Sequence, residues 1–143
     1  MENIFIQGAI QPATVATTIA NYQEKPQVGA YDIFLGQIRA DDIEGQKVKA
    51  ISYTAHEKMA LYICHQLKEK IISKYVDLHS IAVFHSLGEV TVEELCFFVL
   101  VSSGHRKAAF EACHEFVNTF KAEVPIFGKE LFEDDSHQWK VNR

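Results

Sequence analysis

The sequence predicts an α+β fold, a mainly antiparallel sheet with helices packed on it, and three observations carry that prediction. Strand-like segments at 28–39 and 47–54, and again at 79–85, 90–92 and 94–103, follow one another with connections too short for a crossover helix. Such neighbours pair as hairpins. Residues 94–103 (ELCFFVLVSS) are apolar at both parities of the pleat, so they form a central strand covered on two faces. Two segments with apolar residues at helical spacing, after residues 54 and 104, supply covering helices.

Taken in order, residues 2–6 (ENIFI) read as a short strand, and Pro12 opens a helix to residue 22, since proline fits a first turn. In 28–39 (VGAYDIFLGQIR), Tyr31, Ile33 and Leu35 share one face and Phe34 and Ile38 the other. Gly29 and Gly36 mark a bulge or a close backbone approach. Residues 40–46 (ADDIEGQ) are a polar connection to the strand 47–54. Thr-Ala-His-Glu at 54–57 reads as a capping box, opening a helix with Ala60, Ile63, Cys64, Leu67 and Ile71 on its buried stripe. The strand 79–85 breaks at Leu87-Gly88 before a short extended piece at 90–92. The helix 104–121 buries Ala109, Cys113, Phe116, Val117 and Phe120, and Pro125 confirms that it has ended. Residues 126–132 (IFGKELF) are extended, and the tail is polar apart from Trp139.

Composition excludes several classes. Hydrophobic residues make up 48% of 143, enough for the packed core of one domain spanning 1–143. No apolar run approaches the ~20 residues that span a bilayer, and MENIFIQGAI lacks the basic-then-apolar pattern of a signal peptide. A cytoplasmic chain without membrane attachment is expected. Cys64, Cys96 and Cys113 are odd in number, outside CxxC spacing and in apolar contexts, which predicts buried free thiols. A net charge of −5 argues against a nucleic-acid surface and makes any local positive cluster informative.

Four places offer such charge. In Ser102-Ser103-Gly104-His105-Arg106 a buried strand runs into a helix start, where free backbone N–H groups favour an anion and Arg106 adds a planar fork. The macrodipole opposes a cation in a first turn, a misfit that a bound anion relieves. Capping by Ser103 with a solvated Arg106 is the plainer alternative. Arg39 ends a strand whose other charge is Asp32. Lys121 suits a last helical turn, and Lys129 lies in an apolar extended segment. A lysine near other cations can serve as nucleophile or proton donor. Of the histidines, His56, His65, His79 and His137 have no metal spacing, His105 and His114 are nine apart, and His85 suits a buried, hydrogen-bonded place in a strand. No metal site is expected. Arg106 and Lys121 stand fifteen residues apart on one helix, or ~22 Å along its axis. One small ligand cannot touch both, so a site using both predicts a homodimer with composite sites.

From Gly29 to Trp139 the chain resembles the large subunit of molybdopterin synthase, through GAYDIFLGQIR, ISYTAHEKMA, the His85-Ser86-Leu87-Gly88-Glu89 turn, VSSGHRKAAFEAC and FKAEVPIFGKE in that order and spacing. The resemblance implies an α/β hammerhead-type fold with an additional antiparallel β-sheet. It implies a sulfurtransferase without a resident cofactor. A small ubiquitin-like sulfur-carrier subunit would bring a C-terminal Gly-Gly thiocarboxylate, and its sulfur would pass to cyclic pyranopterin monophosphate. Two transfers would form the molybdopterin dithiolene in a heterotetramer built on a large-subunit homodimer. By motif, Arg39 with its neighbours Gln37 and Ile38, together with His105 and Arg106, would hold the substrate anion. Phe34 would wall the pocket, Lys121 would meet the carrier's terminal carbonyl, and Gly128, Lys129 and Glu130 would stand beside it.

The chain departs from the family at two charged positions. The family's Pro-Ile-Trp-Lys-Lys-Glu is here Pro125-Ile126-Phe127-Gly128-Lys129-Glu130, so Gly128 stands where a second functional lysine is expected. In a regular strand Lys129 would face the other way. A bulge at Gly128 would re-aim it, and Lys129 is then expected to join Lys121 in catalysis. Ser86 stands where the family often has arginine. The alternatives are a catalytically impaired relative that binds only the small subunit and a phosphate ligand, and, by fold analogy alone, a phosphate-binding dimer outside this pathway.

Overall fold

The structure, a computed structural model, describes residues 2–141. Its centre is the apolar run foreseen as a buried strand, β6 (Leu95–Ser103). The run feeds two cores by alternation. Phe97, Val99 and Val101 enter one with Ile71, Cys113, Phe116 and Phe120, and Phe98 and Leu100 enter another with Ile10 and Ala82. The first core lies under α2 (Glu57–Lys74) and α3 (Arg106–Glu123), and the second under α1 (Pro12–Tyr22).

The remaining strands are β1 (Phe5–Gln7), β2 (Ala30–Gln37), β3 (Asp42–Ile43), β4 (Gln46–Ala55), β5 (Leu78–Thr91), β7 (Ile126–Phe132) and β8 (His137–Trp139). They run β2-β6-β5-β4-β7-β8, with β1 added to β5 and β3 to β4. Every pairing is antiparallel except β1 with β5. The α+β class is therefore as the sequence predicts.

Four local expectations are corrected. The segments 79–85 and 90–92 are one strand, β5, which changes partners along its length. Its first part pairs with β6 as far as His85↔Phe97, and its last part with β4 from Gly88↔Tyr53. β1 bonds across the changeover, Phe5↔His85 to Gln7↔Leu87. Gly88, at φ 81°, re-aims the strand without ending it. Thr54 caps nothing: it pairs with Phe127 in β4, and the His56 N–H donates to the Pro125 carbonyl, so the ladder outlasts the expected cap and α2 starts after His56. Residues 40–46 contain a hairpin, with Ile43↔Gln46 paired across Glu44 and Gly45, both at positive φ. The polar tail carries β8, in which Trp139 opposes Lys129.

The glycine expectations hold. The β2–β6 register shifts between Gly36 and Gln37. Gly29 donates to Ser103 O, and a methyl on it would collide with the Gly104 carbonyl oxygen.

Candidate active site

Lys121 is set by the end of α3, whose apolar stripe is pinned through Phe116 and Phe120 to β6. Its Nζ lies 6.0 Å from the centre of the Phe34 ring, which itself meets Phe97 edge-on. Beside Lys121 opens a cavity of about 420 Å³, walled by Tyr53, His85, Phe97, Phe120 and Trp139, with Gly128 and Lys140 on its lining. A recess of about 90 Å³ shares Tyr53, His85, Phe97, Lys121 and Lys140 and adds Gln37, Ile38, Arg39 and Glu130. Arg39 is 72% exposed at this edge, its Nε 3.3 Å from Asp41 Oδ1. Glu130 is buried and accepts from Gln138 Nε2 at 3.3 Å.

His85 stacks against this site, its ring centre 4.8 Å from Tyr53 and 5.3 Å from Phe97. Burial lowers its pKa to about 4, and the Lys121 ammonium pushes the same way. The ring is therefore neutral near pH 7. Nδ1 donates to Ser86 O at 2.8 Å, which leaves Nε2 as an acceptor. The Tyr53 hydroxyl donates to Cys96 Sγ at 3.5 Å, and burial raises both groups. Burial likewise pushes the Cys64 thiol to about 11 and the Cys113 thiol to about 12. All three cysteines are buried, free and protonated, hence poor nucleophiles.

Phe34, Gln37, Ile38, Arg39, Lys121, Gly128 and Glu130 thus gather at one place. His105 and Arg106 do not. They are exposed at the opposite end of α3. The anion that the dipole argument requires there is the chain's own Asp77. Its carboxylate accepts from the His105 backbone N–H at 2.6 Å, a bond that holds it below the usual carboxylate range, and lies 3.2 Å from His105 Nδ1. Asp77 takes the place expected of Ser103, whose hydroxyl donates to His105 O.

Lys129 also stands apart. The β4–β7 register runs unbroken from Ala55↔Ile126 to Ala50↔Leu131, shifting only between Val48 and Ala50. The bulge expected at Gly128 is absent. Lys129 keeps the parity of Ser52 and Trp139, with Nζ 5.9 Å from the Trp139 ring centre, and lines neither cavity. Tyr53, Phe97, Trp139 and Lys140 escaped the sequence reading, because they converge only through the β4–β7–β8 ladder and the bend of β5.

Among the described residues no three His, Cys, Asp or Glu side chains cluster to hold a metal, and no helix is long and apolar enough to cross a membrane. Aromatic walls with lysine ammonium groups on the lining, on an α+β fold, give a pocket whose chemistry can accept a flat anionic molecule. The sequence profile of the MoaE protein family matches residues 9–123. The chain belongs to that family.

It is 38% identical over 128 residues to the molybdopterin synthase catalytic subunit of Drosophila willistoni, covering 89% of this chain and 34% of that protein. It thus spans about a third of that relative's length. Molybdopterin synthase from Staphylococcus aureus shares its fold with a TM-score of 0.85 at 25% identity, over 99% of this chain and 98% of that one. A Helicobacter pylori structure described as a complex of subunits 1 and 2 of molybdopterin-converting factor gives 0.81 at 22% identity, over 97% and 90%.

Proposed function

We propose that this chain is the catalytic subunit of a cytoplasmic molybdopterin synthase and moves sulfur from a small carrier's C-terminal thiocarboxylate to cyclic pyranopterin monophosphate. In each transfer the carrier's acyl C–S bond breaks, and a C–S bond to a pterin side-chain carbon forms as one C–O bond of that carbon breaks, its oxygen leaving as water; no oxidation state changes. Water supplies the oxygen with which the carrier leaves as a carboxylate. The observation that carries the reading is the aromatic-walled cavity with Lys121 on its rim and Arg39 in the adjoining recess. The rings suit a pterin, Arg39 its phosphate, and Lys121 the thiocarboxylate carbonyl, which it polarises. The H. pylori complex supports a small-subunit partner.

The length of α3 supports a homodimer at the centre of a heterotetramer, with the second copy's His105 and Arg106 completing each anion site. Mixing the chain with a thiocarboxylated protein ending in Gly-Gly and the cyclic pterin, then assaying molybdopterin, tests the whole reading. Absence of product rejects it. Arg106→Ala is expected to raise KM about tenfold with kcat nearly kept, as loss of a charge-assisted hydrogen bond would. Steady-state kinetics on the same mixture checks this. The impaired-relative reading draws on Gly128 alone.

A further inference from the structure

We propose that Lys140 is this chain's second active-site cation, holding the anionic pterin from the strand beside the position where Gly128 has lost a lysine. The proposal rests on the sulfur-transfer reading of the site and adds to it a residue that the matched motif does not contain.

Three observations carry it. The pairing Lys129↔Trp139, extended by one residue, sets Lys140 opposite Gly128, and the Lys140 backbone N–H donates to Gly128 O at 2.8 Å. Directly opposed residues share a face with Cβ positions about 5 Å apart. Lys140 therefore reaches the volume that a side chain at 128 would have used. Second, Lys140 lines both the cavity and its recess, as Lys121 does, whereas Lys129 lines neither. The two ammoniums also act on a common neighbour, both pulling down the Cys96 thiol that burial pushes up. Third, position 128 has little room. A Cβ there would stand 3.0 Å from Ile51 Cγ2 and 3.1 Å from Tyr53 Cε1. Tyr53 thus packs against bare backbone, and the positive charge enters from the next strand.

Two measurements on the full chain test this, each on Lys140→Ala, Lys140→Arg and Lys129→Ala. The first is calorimetric titration with cyclic pyranopterin monophosphate, without carrier. The second is sulfur transfer with the thiocarboxylated carrier. Lys140→Ala should weaken pterin binding and raise KM about tenfold to a hundredfold, the value of one charge-assisted contact, with kcat largely kept. Lys140→Arg should keep most of the affinity, and Lys129→Ala should match the parent. An unchanged melting temperature for Lys140→Ala separates this from misfolding. Equal affinity of Lys140→Ala and parent, or an equal loss in Lys129→Ala, overturns the proposal. A parent chain that binds the pterin yet makes no product sinks the sulfur-transfer reading instead, and the titration still judges Lys140. A parent that binds no pterin overturns both.

Discussion

Replacing Lys121 with alanine is expected to cut kcat for sulfur transfer a hundredfold to a thousandfold, the usual cost of removing one preorganised donor aimed at developing charge. Nearby groups do not replace it. His85 is neutral near pH 7, Cys96 is a protonated thiol, and the adjacent walls are the rings of Phe34, Phe97 and Phe120. The fold should tolerate the change, since the favourable charge–dipole contact of a last-turn lysine is worth only about 0.3–1 kcal/mol. Lys121→Arg keeps the charge but replaces a compact ammonium by a planar fork, so it should recover little of the rate. Single-turnover molybdopterin formation with saturating pterin checks both rate statements, and the melting temperature of Lys121→Ala checks the fold. Normal turnover by Lys121→Ala would remove the assigned donor.

The second large effect concerns stability. His85 titrates near 6.5 when unfolded and at about 4 when buried, so between those values the unfolded chain binds the extra proton. The neutral ring's contribution is fully present above about pH 6.5 and is lost as pH falls toward 4. The interval of about 2.5 pH units, at ~1.4 kcal/mol each, amounts to about 3.5 kcal/mol in full, of which about 3 kcal/mol is lost by pH 4, where the native ring is half protonated. His85→Phe keeps a ring against Tyr53 and Phe97 but cannot titrate. Urea unfolding of both proteins at about pH 7 and pH 4 should show the parent losing about 3 kcal/mol more than the variant. Parallel losses would mean that His85 is protonated, or solvated, in the native state.

What was legible in the sequence divides by the range of the interaction. The double apolar parity of 94–103 marked β6 as central, and the stripe ending at Phe120 placed Lys121 at a helix end, because both patterns are local. Pairing partners are not local. The long β5 looks like two pieces in sequence because Gly88 resembles punctuation unless β1 and β4 are known to take over its bonds. Thr54 looks like a cap because a strand bonded out to Ala55 depends on residues about seventy positions away. The same blindness hid Lys140, a tail lysine until β8 is laid beside β7. Arg39, Phe34 and Lys121 were found by motif resemblance, and the structure brings them to one place.

The spread of charge along α3 has a genetic consequence. A chain defective at Arg106 and a chain defective at Lys121 carry their lesions at opposite ends of the same rod. In the composite homodimer proposed above, co-refolding the two would give a hybrid pair with both lesions at one centre and neither at the other. Random assortment makes half of the pairs hybrid, so about a quarter of all centres regain full competence. At pterin concentrations well below the raised KM, the two impaired alleles would then complement each other, measured as molybdopterin formed by the mixture beyond the sum of its parts.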